Sequence, residues 1–200
     1  MKRMKVLNIH FSKRVLTIII GLLIVAMFST WYFIADQKIE TASYTGIIIG
    51  YDTIDELKAA SDLVVVAVPT GFKRNVVVGK GMDSKGWTLS EIKVDKIIKA
   101  DPNPKQDVKE GMNIIIREPY YIVDKVIEPG KFKIKIEDYT ELISNLRYVL
   151  FLKWDERSGT YAIYTAHQGK YNIDGRDTEE IKRISGHVLE LKREILERFH

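Results

Sequence analysis

Residues Val15 to Ile34 read VLTIIIGLLIVAMFSTWYFI, twenty consecutive residues without a formal charge. A helix rises about 1.5 Å per residue, so the run covers about 30 Å, the hydrocarbon thickness of a bilayer. It reads as a transmembrane helix over 15–34, and every other segment is placed relative to it.

Ahead of it, residues 1–14 carry Lys2, Arg3, Lys5, Lys13 and Arg14 and no acidic residue. Basic flanks of a first membrane helix stay in the cytoplasm, which puts the N-terminus inside and the remaining chain outside. Trp31 and Tyr32 stand at the outer end, where amphipathic rings favour the headgroup region. A cleaved signal peptide is the competing reading, but its apolar region is only about 7–15 residues long and ends in a small-x-small site. Here the exit is bulky, Trp31-Tyr32-Phe33-Ile34, and Thr41-Ala42-Ser43 lies far downstream. The expected location is therefore the cell membrane, single-pass, with an extracytoplasmic C-terminal domain and lipid around 15–34 as first partner.

The chain's net charge of +4 belongs mostly to that basic segment. Beyond residue 34 there are 26 Lys+Arg against 27 Asp+Glu, a near-neutral balance. Nucleic acid needs a concentrated basic face, so it is not expected as a partner. The absence of cysteine removes disulfides, thiolate metal sites and cysteine nucleophiles, sortase-type and papain-like chemistry included. Some 165 residues outside the membrane are enough for one domain with a real core.

Residues 35–50 read as a juxtamembrane spacer or edge strand. Thr53 and Glu56 have capping-box spacing and open a short helix through Ala60. Leu63–Val68 is a continuous apolar strand, buried on both faces and stopped by Pro69. Val76–Val78 is a further strand piece before the turn Gly79-Lys80-Gly81. Trp87–Lys99 alternates, with Ser90, Ile92 and Val94 on one face, until Ile97-Ile98 predicts a bulge or bend. Asn113–Arg117 and Lys131–Glu137 are shorter strands, and Arg147–Trp154 with Tyr161–Ala166 is a hairpin. From Asp177 the period changes: Ile181, Ile184, Val188, Leu191 and Ile195 step by three and four along one amphipathic helix to Phe199. Asp177 is its N-cap and Gly186 its weak point. That helix packs on its own domain or, through 177–199, forms a homodimer seam. The expected fold is mainly β: a small antiparallel barrel over 51–176 with one short helix, preceded by the membrane helix and followed by the helix of 177–200.

Five segments, Asp62–Val68, Ser90–Lys99, Glu110–Pro119, Tyr148–Leu152 and His167–Tyr171, occur in an order that resembles a group of small, exported, membrane-attached proteins of the Gram-positive envelope. The resemblance covers about 52–175. It implies an OB-like barrel similar to that of tissue inhibitors of metalloproteinases. Many such proteins carry a lipid-attachment cysteine where this chain has a helix, and the cysteines of the animal inhibitors are missing here. The resemblance therefore implies a fold and supplies no catalytic residue.

The histidines, His10, His167, His187 and His200, form no H-x-x-x-H or H-x-H pair, so neither zinc nor any other cofactor is expected. No serine sits in a G-x-S-x-G turn. The candidate ligand-binding residues are His167, Gln168 and Tyr171 at a strand-to-turn edge, with Tyr120, Tyr121 and Trp87 as aromatic surfaces, since OB-type barrels bind extended polymers on one face. The function expected is non-catalytic binding of a protein, peptide or glycan at the envelope. An envelope hydrolase with a Ser–Lys or carboxylate site is the alternative.

Overall fold

Leu63–Val68 is buried on both faces, and the rest of the fold is assembled around it. The computed structural model describes residues 12–44, 50–79, 84–136 and 139–199. Lys2, Arg3, Lys5, His10, the Ile47–Ile49 run, Lys80-Gly81, Glu137 and His200 lie outside these described residues.

The long apolar helix is α1, Lys13–Asp36, with no buried residue and the length and composition to cross a membrane. Two residues later β1 begins (Ile39–Tyr44). The short helix α2 (Ile54–Ala60) starts where the capping box predicts, Glu56 N donating to Thr53 Oγ1 at 3.2 Å. The strand β2 runs Leu63–Val78 and does not stop at Pro69. Its partner β3 (Lys85–Ala100) stays paired as far as Pro69 and resumes at Lys73, so the proline sits at a break in the ladder where a missing N–H costs little. Val76–Val78 is thus the far half of the same strand. On β3, Ser90, Ile92 and Val94 are buried and Lys93 is exposed, as the alternation predicts. The β2–β3 register skips Asp95 and Ile98, which places the expected bulge at Ile98 and a second one nearby.

Then follow β4 (Asn113–Glu118), β5 (Tyr120–Asp124), β6 (Lys131–Ile136), β7 (Tyr148–Asp155), β8 (Thr160–Ile163) and β9 (Lys170–Asn172). The larger sheet has the order β2-β3-β4-β8-β7-β9, and β2 also pairs with β7, so the pairings β2–β3–β4–β8–β7 return to β2. The smaller sheet has the order β1-β6-β5. Not every pairing is antiparallel as expected: β4–β8 and β1–β6 are parallel. Parallel neighbours need long connections. The stretch carrying β5, β6 and β7 supplies one of them.

Two cores share the β2–β7 seam. Leu63, Val65 and Ala67 of β2, with Tyr148, Leu150 and Leu152 of β7, face the interior of the ring. Val64, Val66, Val149 and Phe151 face outward and are covered by Ile54 and Leu57 of α2 and by Leu191 and Ile195. The latter two belong to the C-terminal segment, which is two helices, α3 (Thr178–Arg183) and α4 (Gly186–Phe199), rather than one. The break falls at Gly186, whose φ of 54° a glycine adopts without steric cost. The stripe read as a packing face or dimer seam is buried at Leu191 and Ile195 within the chain's own second core, while Ile181 stays exposed.

Gly169 makes a very tight approach, since a Cβ there would lie 1.9 Å from the Tyr164 carbonyl oxygen. Gly169→Ala is expected to cost on the order of 3 kcal/mol, whereas Gly111→Ala, with φ of 84° and open space, should cost about 1–2 kcal/mol. Urea unfolding of the two variants checks the order.

Candidate functional site

The residues singled out from sequence do not converge. Gln168 is buried and clamps the chain entry to α2: Tyr51 N donates to its Oε1 at 2.9 Å and its Nε2 donates to Tyr51 O at 3.1 Å. Tyr171 is fully buried, edge-on to Phe151 in the second core. Tyr121 donates to Ser84 O at 2.6 Å, and Trp87 lies 4.6 Å beneath the Arg117 guanidinium. These four serve packing. Tyr120 and His167 each line a concavity, and the segment Tyr139-Thr140 borders both.

The larger concavity, about 540 Å³, lies between β6, the end of β5 and the segment 139–144. The strict alternation of β6 aims Lys133 and Lys135 into it, and β2 contributes Lys73 just past the ladder break. Beneath it sits Glu118, fully buried at the end of β4. Its carboxylate accepts from Tyr139 Oη at 2.6 Å, from Leu142 N at 2.8 Å and from Ser90 Oγ, with Lys73 Nζ 3.6 Å away. A buried carboxylate with three hydrogen-bond donors and a lysine close by is satisfied. Lys73 also reaches Glu141 at 3.3 Å, and Lys133 Nζ donates to the other Glu141 oxygen. Both ammonium groups lie over the Tyr120 ring, at 5.4 and 5.8 Å. Tyr120 and Tyr139 are therefore a floor under the lysines rather than an open stacking platform.

Burial pushes the Tyr120 and Tyr139 hydroxyls far above the ordinary tyrosine value, and the nearby glutamates push further. Burial would raise Glu141 too, but the Lys133 hydrogen bond and the two lysine charges outweigh it and hold the carboxyl below its usual range. At neutral pH the cleft thus presents ionised Glu141 beside cationic lysines over neutral phenols.

His167 lines a smaller hollow of about 120 Å³ with Lys170, Glu180, Arg183 and Ser185. Here the charged groups are structural. Lys170, 3% exposed, donates to Thr140 Oγ1 at 2.8 Å and to Asp177 Oδ2 at 3.1 Å. Asp177 is fully buried, caps α3 as predicted through Glu180 N, and accepts from Tyr148 Oη at 3.0 Å. Glu180 binds Lys192 at 2.6 Å, tying α4 to α3 and to Asn172 N of β9. Two lysines and two carboxylates balance in the interior, as buried ions must.

Sequence reasoning missed Lys73, Glu118, Glu141 and Lys170. The one available signal was the strict alternation of lysines with apolar residues along β6. The sequence does contain a Ser-x-x-Lys spacing, Ser90 to Lys93, but on a strand residues three apart point to opposite faces. Ser90 is buried against Glu118 while Lys93 is exposed, so the two form no dyad. Among the described residues no group of three His, Asp or Glu side chains has metal-holding geometry. No known family model and no curated protein matches the chain.

Two predictions follow from the buried ions. Lys170→Met leaves Asp177 uncompensated and should cost about 3–5 kcal/mol in urea unfolding. Burial would also raise Asp174 and Asp177, but the Arg176 hydrogen bond to the first and the Lys170 charge beside the second outweigh it and hold both below the ordinary aspartate value. Groups depressed in the folded state contribute stability that is complete above their unfolded values, about 4, and is lost as pH falls through the folded ones. Unfolding free energy should therefore fall between pH 5 and pH 2, and an unchanged value across that range would contradict the ion-pair assignment.

Proposed function

We propose that this chain is a single-pass membrane protein of the cell envelope whose exported β-module binds a protein, peptide or glycan without catalysis. Anchoring in lipid is supported by α1, a 24-residue helix with no buried side chain. The basic residues of 1–14 and the aromatic pair Trp31-Tyr32 support an N-terminus inside and a module outside. The returning pairings of β2, β3, β4, β8 and β7 support reading the ring as an OB-type five-stranded barrel, as the resemblance to exported Gram-positive envelope proteins implies.

The observation that carries the binding reading is the cleft over Glu118. Its walls offer Lys73, Lys133 and Arg183 as cations, Thr140 and Ser144 as hydroxyls, and Glu141 as a carboxylate. Such a surface matches the polar, hydrogen-bonding face of a peptide or a sugar chain bearing acidic groups. Glu118 and Glu141 are the carboxylate pair that a hydrolytic reading would require. General acid catalysis needs one of them held protonated near neutral pH. Glu141 is shifted the other way, and Glu118 is buried beneath the cleft, its oxygens accepting from Ser90, Tyr139 and Leu142.

A photo-crosslinking residue placed at Lys133, in the full chain in its own envelope, should yield an adduct that one placed at Lys105 does not. Arg183→Glu, a charge reversal at an exposed side chain of the cleft wall, should weaken that adduct several-fold while the unfolding midpoint stays close to that of the unsubstituted protein. Equal adducts from 133 and 105, or none from 133, would contradict a ligand in the cleft.

A further inference from the structure

The turn joining β5 to β6 carries the two most exposed large apolar side chains among the described residues outside α1: Ile127 at 97% and Val126 at 74%. They edge an apolar hollow of about 360 Å³ whose other walls include Val123 and Phe132. Exposed apolar residues on a loop tip are ordinary when scattered. Here their place in the fold is fixed by what they adjoin.

The strand β1 follows α1 after two residues and runs parallel to β6, with Ile39 opposite Lys131. Parallel strands begin at the same end. The start of β6, and the turn before it, therefore lie level with the outer end of α1. Direct bonds hold them there: Lys131 N donates to Lys38 O at 2.8 Å, and Gly130 N to Asp36 Oδ1 at 3.3 Å. Antiparallel pairing of Asp124 with Lys131 leaves residues 125–130 beyond the ladder. Val126 and Ile127 sit in the turn past the last ladder pair, and Gly130 of the same turn lies against the helix exit, where an added Cβ would be 3.3 Å from Lys38 O and 3.4 Å from Ala35 O. Trp31, Tyr32 and Phe33 stand within about one helical turn of Ala35 along α1. All three of those rings are exposed.

The charges on the turn are already paired. Lys125, its side chain only 7% exposed, binds Glu40 of β1 at 2.7 Å and Glu128 at 2.8 Å. These bonds fix the turn against β1 and pair its lysine; within 125–130 the charges of Lys125 and Glu128 cancel, so the turn brings no net charge to lipid, while Glu40 leaves one negative charge at its base on β1.

We infer that Val126 and Ile127 enter the outer interfacial layer of the lipid bilayer, making the β5–β6 turn a second membrane contact beside α1. The contact rests on the anchoring proposed above. It sets the tilt and rotation of the module, so the cleft lined by Lys133 of the same strand holds a constant attitude to the membrane.

The cysteine-free sequence makes the test direct. Ile127→Cys, Ile24→Cys and Lys105→Cys variants of the full chain are each spin-labelled and reconstituted in phosphatidylglycerol–phosphatidylethanolamine vesicles. Relative accessibility to oxygen, which partitions into lipid, and to a water-soluble nickel chelate is then measured. The oxygen-to-nickel ratio should be several-fold higher at 127 than at 105, approaching that at 24. A lipid-like ratio at 24 with a water-like ratio at 127 would overturn this contact and leave the anchor standing. A water-like ratio at both would overturn the anchor itself. Spin–spin broadening at 127 that vanishes on dilution with unlabelled protein would assign the turn to a second copy of the chain and also overturn the lipid contact.

Discussion

The pairing of β2 with β7 is the constraint on which the remaining structure depends. Each strand sends alternate side chains into two cores, Val65 and Leu150 into the ring and Val64 and Phe151 beneath the helices. A strand apolar on both faces must be covered on both. That requirement explains why β3, β4 and β8 close around one side and why α2 and α4 lie over the other. It also explains the buried ions, because β9 and the C-terminal helices can cover the outer face only by bringing polar backbone and helix caps to it. Lys170, Asp177, Glu180 and Lys192 satisfy those groups in the interior.

The smaller sheet has a different role. With β1, β5 and β6 it stands between the apolar helix and the ring, and its turn 125–130 hydrogen-bonds the helix exit at Asp36 and Lys38. The same β6 that pairs with the juxtamembrane strand carries Lys133 into the cleft. In the proposed orientation, lipid anchoring and ligand binding are thus coupled through one strand of six residues, with no long flexible linker between them.

Much of this fold is legible in the sequence because periodicity reports which residues share a face. The continuous run Leu63–Val68 and the alternating β3 and β6 read correctly as strands, and Thr53 and Asp177 as caps. What periodicity does not report is what covers a face. Lys133 and Lys135 alternate with apolar residues as a solvated edge would, yet they line a cleft because the segment 139–144 folds over them. The full burial of Glu118 depends on partners at positions 73, 90, 139 and 142, which no local pattern connects. Gln168 and Tyr171 read as a strand-to-turn edge, yet both are buried, Gln168 in the 3-10 turn Ala166–Gln168 and Tyr171 on β9, with Gly169 between them packed against Tyr164. Pro69 read as a stop because a ladder break cannot be seen in one strand alone.

The proposed role requires α1 to cross a membrane and the module to lie outside it. Lys105→Cys supplies one exposed thiol in the loop between β3 and β4, in a chain that otherwise has none. Treatment of intact cells with a membrane-impermeant maleimide should label that thiol fully, with no further labelling after lysis. Labelling that appears only after the cells are broken would place the module in the cytoplasm and contradict the account.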